Sequence, residues 1–272
     1  MADEALWELV TKHFNAVTFG NELKLDAMIG GAKGETEHIT FNGKDLEVPV
    51  LKLDEKQATK MLDKILEWNT ANPDKKLKVR GHVLVWHSQP PEWFFREDYD
   101  ASADYVSTSV MNKRLEWYIK SVLEHFTGED SKYNGLFYGW DVVNEAISDG
   151  PSVYRTDNEN GSNSSWWHIY QSEEFIISAF RYANKYAPAD LELYYNDYNE
   201  CGALKRGKIL QLIEAVKSAE GTRIDGMGMQ GHYNMFNPSI KQSGYHAIFG
   251  CYESLWRSSR FCADYRVGFV CQ

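Results

Sequence analysis

Short apolar runs recurring between amphipathic helical segments constrain this chain more than any other feature. The first helical segment has Leu6, Leu9, Val10, His13 and Phe14 at i, i+3, i+4, i+7 and i+8, with Asp3 placed to cap it. A β-rich run over 16–19 follows, and residues 30–50, rich in Gly, Lys and Glu, read as a long surface excursion. A second helix carries Ala58, Met61, Leu62, Ile65 and Leu66, opened by Asp54 with Gln57 three residues on, as in a capping box. The turn Asn72-Pro73-Asp74 leads into a strand over 78–86. The pattern then repeats three times. A helix with Met111, Leu115, Tyr118, Ile119, Val122 and Phe126, ending at Gly128, precedes a strand over 136–143. A helix with Phe175, Ile176, Ala179, Phe180 and Ala183 precedes a strand over 191–195, and one with Ile209, Leu212, Ile213 and Val216 precedes a strand over 224–229. Several strands are apolar at consecutive positions, as in a parallel sheet buried on both faces, and no linker divides the chain.

Parallel α/β chains close into barrels or open into doubly wound sheets, and the polar residues discriminate. Each strand ends in hydrogen-bonding or aromatic groups: Asn21 and Lys24; His82, Trp86, His87 and Gln89; Asn144 and Glu145; Asn196, Asp197, Tyr198 and Asn199; Gln230 and His232. An open sheet gathers its site at one switch point, whereas a barrel gathers it from many carboxyl strand ends. Five contributing strands therefore predict a TIM-type (β/α)8 barrel.

Acidic residues outnumber basic ones by 39 to 29, which argues against nucleic acid or an anionic membrane surface as partner. No segment approaches 18 consecutive apolar residues, and Met1-Ala2-Asp3-Glu4 lacks the opening of a signal peptide. Four cysteines without C-x-x-C pairing suit neither a disulfide scaffold nor a zinc site. His82 and His87, five apart on one strand, point to opposite faces and make a poor metal pair. Gly226-x-Gly228 and Gly30-Gly31-Ala32-Lys33-Gly34 fit no nucleotide-binding pattern and read as turns or points of close packing. Asn163-Ser164-Ser165 fits the glycosylation sequon. No metal and no cofactor is expected.

Glu145 is the leading chemical candidate, because desolvation at an aromatic-lined strand end disfavours its charged form and suits it to general acid work. The alternative is a loop carboxylate paired with Lys or Arg; Asn144, Gln230 and His232 at neighbouring strand ends favour the first. Aromatic residues make up 14% of the chain, more than a core of this size requires. Trp86, Trp93, Trp166, Trp167 and Tyr198 are candidates to stack on sugar rings, with Trp140 and at least one of Trp166 and Trp167 assigned to the core.

Five stretches occur in the order seen in one family: Val17-Thr18-Phe19-Gly20-Asn21-Glu22-Leu23-Lys24, Arg80-Gly81-His82-Val83-Leu84-Val85-Trp86-His87-Ser88-Gln89, Trp140-Asp141-Val142-Val143-Asn144-Glu145-Ala146, Tyr195-Asn196-Asp197-Tyr198-Asn199 and Gly226-Met227-Gly228-Met229-Gln230-Gly231-His232. In these the chain resembles glycoside hydrolase family 10, the (β/α)8-barrel endo-1,4-β-xylanases. The resemblance implies a retaining mechanism with Glu145 as acid/base and Asn144 bonding the sugar 2-hydroxyl. It further implies glycone subsites from Asn21, Lys24, His82, Trp86 and Gln89, aglycone contacts from Tyr198 and Asn199, Gln230 and His232 beside the nucleophile, and Asp141 orienting His82. Xylan or xylo-oligosaccharide is the implied partner, with the protein an exported monomer.

The chain departs from the family pattern at Gly20, where many members have Glu, and at both ends. The resemblance places residues 1–241 in strands two to six of an incomplete barrel. A Thr-Glu-Leu-Asp-like motif with the nucleophile is expected near Arg260, yet Tyr252-Glu253-Ser254-Leu255 holds the one Glu after Lys241. Three of the four cysteines also fall there, so 242–272 is read as a foreign or frame-shifted tail. Alternatives from other classes are a non-catalytic xylan binder and a non-functional fragment with unpaired strand edges.

Overall fold

The computed structural model describes residues 3–53, 56–157 and 163–232. The elements are α1 (Glu4–His13), β1 (Ala16–Thr18), α2 (Leu25–Ile29), β2 (Thr36–Phe41), β3 (Lys44–Pro49), α3 (Lys56–Ala71) and β4 (Lys78–Trp86), followed by α4 (Thr108–Thr127), β5 (Phe137–Asn144), α5 (Ser165–Tyr170), α6 (Glu174–Tyr186), β6 (Glu192–Asp197), α7 (Ala203–Ser218) and β7 (Gly226–Met229). Asp3 caps α1 as its position suggested, its carboxylate accepting the Ala5 and Leu6 N–H groups at 2.9 and 3.3 Å. Asp54, the expected cap of α3, lies outside the described residues.

Strands β1, β4, β5, β6 and β7 form one sheet in that order, every neighbouring pair parallel. A doubly wound sheet reverses its order at a switch point, whereas sequential order is that of a barrel wall. The sheet curls: Arg80 on β4 reaches Gly228 on β7 across two intervening strands, so that a Cβ there would fall on its guanidinium. The described strands are thus part of a (β/α) barrel.

Alternation along the strands separates two environments. The convex face is apolar: Trp140, Val142 and Leu193 are at most 0% exposed, and Trp140 meets Phe126 of α4 with centroids 5.9 Å apart. The helical stripe Met111, Leu115, Tyr118, Ile119, Val122 and Phe126 is wholly buried, which is why α4 forms along it. The concave face is polar, carrying Arg80, His82, Asp141 and Asn196, joined by hydrogen bonds. A register shift between Asp141 and Val143 lets Asn144, three residues on, join the same network.

Residues 30–50 correct the sequence reading, because within them β2 and β3 pair as an antiparallel hairpin. Asn42 and Gly43 take φ of 49° and 73°, the type I′ turn that matches strand twist, with Phe41 and Val48 buried beneath. Tyr99 pins this hairpin through its hydroxyl to the Glu47 carbonyl at 2.7 Å. Trp93 is a second correction: it is 5% exposed, and its Nε1 donates to the Gly31 carbonyl at 3.1 Å, so it braces a loop and is absent from the cleft. Trp166 is likewise core, donating to the Trp86 carbonyl at 3.0 Å. In the sequon, Ser164 is buried and caps α5 through the Trp167 N–H.

Gly81 lies where the Trp140 ring leaves no room for a side chain, since an added Cβ would fall within it. Gly81→Ala is therefore expected to cost about 1–3 kcal/mol by overpacking, lowering the melting temperature in a circular dichroism scan by several degrees. An unchanged transition would show that the indole moves freely.

Candidate active site

Glu145 is the first residue beyond β5, and it leaves the strand in the left-handed region at φ 55°. Its N–H donates to the Asn196 carbonyl at 2.9 Å, and its own carbonyl accepts from Arg155 Nε at 2.9 Å. These bonds turn the side chain over the barrel end. There Oε2 accepts from Trp86 Nε1 and Oε1 from Gln230 Nε2, both at 2.8 Å. Three strands thus converge on one carboxylate.

Asn144, 2% exposed, lies directly below. Its Oδ1 accepts from Asn196 Nδ2 at 2.8 Å and from Gln230 Nε2 at 3.1 Å. Asp141, 1% exposed, accepts from His82 Nδ1 at 2.8 Å and from Arg80 Nε at 2.8 Å. Burial alone would raise the Asp141 pKa, but the Arg80 charge and the His82 hydrogen bond outweigh it and hold the carboxyl below its ordinary value.

On one flank, Lys24 Nζ donates to Asn21 Oδ1 at 2.8 Å and Gln89 Oε1 at 2.7 Å, and stands 4.5 Å from the Trp86 ring centroid. Burial lowers its pKa against the pull of Asp26, Glu145 and Glu22. On the other flank the Tyr198 hydroxyl bonds Asp149, and Arg155 Nη2 donates to it at 3.2 Å. Burial and the Asp149 carboxylate push that phenol up to about 12. Lys205 sits 3.9 Å from the Tyr198 ring centroid and reaches Asp197 Oδ1 at 2.9 Å and Asp149 Oδ1 at 3.0 Å. Asn199 is exposed with φ 54°, and His232 is exposed beyond β7.

The structure therefore gathers Asn21, Lys24, Gln89, Trp86, Glu145, Gln230, Asn144, Asp141 and His82 into one network, with Tyr198 joined to it through Arg155. Residues absent from the sequence-based set are Arg80, Arg155, Asp149 and Lys205. An Arg two residues before His82 on the same strand signalled the first; the loop and helix carrying the others gave no periodic cue. Trp167 is half-buried and stacks on Tyr154 with centroids 5.9 Å apart. Among the described residues, no group of three or more His, Cys, Asp or Glu is placed to hold a metal ion, and no helix is long and apolar enough to cross a membrane.

A parallel, sequentially ordered sheet with a carboxylate, amides, an imidazole and an indole converging at its carboxyl ends defines a (β/α)-barrel fold with a candidate site at the strand ends. The chain belongs to Glycosyl hydrolase family 10, which it matches over residues 1–248. It is 37% identical over 234 residues to endo-1,4-beta-xylanase Y of Acetivibrio thermocellus, covering 83% of this chain and 19% of that relative. A putative endo-1,4-beta-xylanase of Caldicellulosiruptor saccharolyticus is 44% identical over 164 residues, 60% of this chain and 49% of that one. Among solved structures, the CBM22-1-GH10 modules of Clostridium thermocellum endo-1,4-beta-D-xylanase 10B, complexed with xylohexaose, superpose with a TM-score of 0.76 at 32% identity, covering 94% of this chain and 46% of that one. The chain thus spans less than half the length of these three proteins.

His87 is held neutral beside this network, its pKa lowered to about 4 by burial and by the Arg155 and Lys205 charges, with Glu145 opposing. The unfolded chain takes up that proton near 6.5, so between pH 6.5 and about 4 it holds more protons than the folded one, and stability falls as pH falls. Unfolding free energy measured from pH 7 to 4 is expected to decline more steeply for the parent than for His87→Gln, the difference growing to about 2–3 kcal/mol. Parallel curves would contradict the neutral assignment.

Proposed function

We propose that this chain is a xylan-directed glycosidase of the endo-1,4-β-xylanase type, in which Glu145 serves as general acid/base. The observation that carries the reading is Glu145 itself, braced at a strand end by Trp86 and Gln230 with the buried Asn144 amide beneath it. In a double displacement, the acid/base protonates the leaving glycosidic oxygen while a second carboxylate attacks the anomeric carbon. It then deprotonates the water that releases the sugar from that carboxylate. Trp86, Lys24, Asn21, Gln89 and His82 form the glycone side in this reading, and Tyr198 and Asn199 the aglycone side. Asn144 takes the 2-hydroxyl, with Gln230 and His232 beside the nucleophile. Hydroxyl-rich rings suit such amide and imidazole groups, and the Trp86 indole offers an apolar face to them.

We assign no nucleophile. Its strand would follow β7, beyond the described residues, and Tyr252-Glu253-Ser254-Leu255 lacks the Thr-Glu-Leu-Asp-like pattern. Residues 1–241 are accordingly proposed as the catalytic barrel portion, acting as an exported monomer, and 242–272 as foreign to it. That tail favours a second reading, xylan binding without turnover, because the covalent intermediate needs the second carboxylate.

Xylohexaose affinity and reducing-sugar release from xylan test both. Glu145→Gln is expected to retain binding and to lower any hydrolysis shown by the parent by about 10²–10⁴-fold. Hydrolysis unaffected by the substitution, or a parent that does not bind xylohexaose, would sink the assignment. Binding without hydrolysis in either protein selects the second reading.

A further inference from the structure

Arginine offers donors and no acceptor, so an amide within hydrogen-bonding reach of its guanidinium must turn its oxygen toward it. Arg80 Nη2 lies 3.1 Å from Asn196, and the facing atom is Oδ1. The Asn196 amino group is then turned to the other side, where Nδ2 donates to Asn144 Oδ1 at 2.8 Å. Asn144 Oδ1 is filled further by Gln230 Nε2, which leaves the Asn144 amino group to donate elsewhere. The same guanidinium pairs with Asp141 Oδ1, while Asp141 Oδ2 takes His82 Nδ1. One cation thus sets the direction of the hydrogen bonds that run from Asn196 to Asn144 at the site.

We propose that Arg80 is a positioning residue that fixes the hydrogen-bonding polarity of the sugar-binding face, making Asn144 a donor toward ligand hydroxyls. Gly228 supports this independently of Arg80 chemistry, because a Cβ there would fall on Nη2 and on Asn196 Oδ1 together. Gly228 of the Gly226-x-Gly228 pair therefore leaves room for the guanidinium. With Arg80 displaced, Asn196 is free to flip, and Asn144 loses its imposed orientation.

The proposal rests on the xylan-directed reading for its ligand, so one readout uses sugar and one does not. Without sugar, proton exchange of ¹⁵N-labelled asparagine side chains is compared in the parent, Arg80→Met and Gly228→Ala. The Asn196 amino protons are expected to be protected in the parent and to lose that protection in both variants, with native circular dichroism in Gly228→Ala. Unchanged protection in a folded variant overturns the relay, whatever the ligand.

With sugar, xylohexaose affinity is measured for Gly228→Ala, Asn144→Ala and the double variant. Each single change is expected to weaken binding about tenfold, and the double change about tenfold as well, since both remove one oriented donor. A hundredfold loss in the double variant would mean that the two act independently and would overturn the proposal. Failure of the parent to bind xylohexaose would instead sink the functional reading, leaving the exchange measurement to decide the relay.

Discussion

Asp141 is 1% exposed, and a carboxylate withdrawn that far from water needs a cation within hydrogen-bonding reach. Arg80 supplies it from the neighbouring strand, and the shift of the Asp141 pKa below its ordinary value shows attraction exceeding desolvation. Such a pair contributes little net stability against a well-packed apolar replacement, yet removing one partner leaves a buried charge at a cost of about 3–5 kcal/mol. Its value is geometric. The guanidinium spans three strands, bonding Asp141 on β5 and Asn196 on β6 and filling the space beside Gly228 on β7.

That demand for space explains where the sheet carries glycine. Gly139 faces Tyr194, whose ring occupies the place of a side chain, and Tyr194 in turn lies under Arg80 with the guanidinium carbon 4.6 Å from its centroid. On the convex side Gly81 does the same for Trp140. Large and absent side chains thus alternate between neighbouring strands, the way a curled sheet fills itself on both faces.

Periodicity made the five parallel strands and the helices α1, α3, α4, α6 and α7 legible, because these helices bury an apolar face, whereas the short α2 and α5 gave no such pattern. Polar residues at strand ends made Glu145, Asn144, Trp86 and Gln230 legible for the complementary reason, that such groups have no packing use there. The hairpin over β2 and β3 was hidden by its composition, since its outer residues are charged, although Asn42-Gly43 between Ile39, Phe41, Leu46 and Val48 carries the turn and the alternation. Trp93 was misread because an indole suits both a cleft and a core, and the choice rests on a carbonyl, that of Gly31, distant in sequence. Arg155, Asp149 and Lys205 could not be read at all. Their meaning lies in long-range pairing between a loop and a helix face.

Those three residues link the two flanks of the site. Glu145 holds a left-handed φ that costs a non-glycine residue about 1 kcal/mol or more, and it persists because its N–H and carbonyl both have partners, Asn196 and Arg155. Arg155 also reaches the Tyr198 hydroxyl, and Tyr198 is fixed in turn by Asp149 and by the Lys205 ammonium over its ring. Lys205 closes the circuit by binding Asp197, whose carbonyl accepts the Gln230 N–H. Gln230 returns to Glu145 through its side chain. The backbone that aims the carboxylate and the side chain that flanks it are therefore held by one set of charges, so a shift of α7 against β6 would move both together.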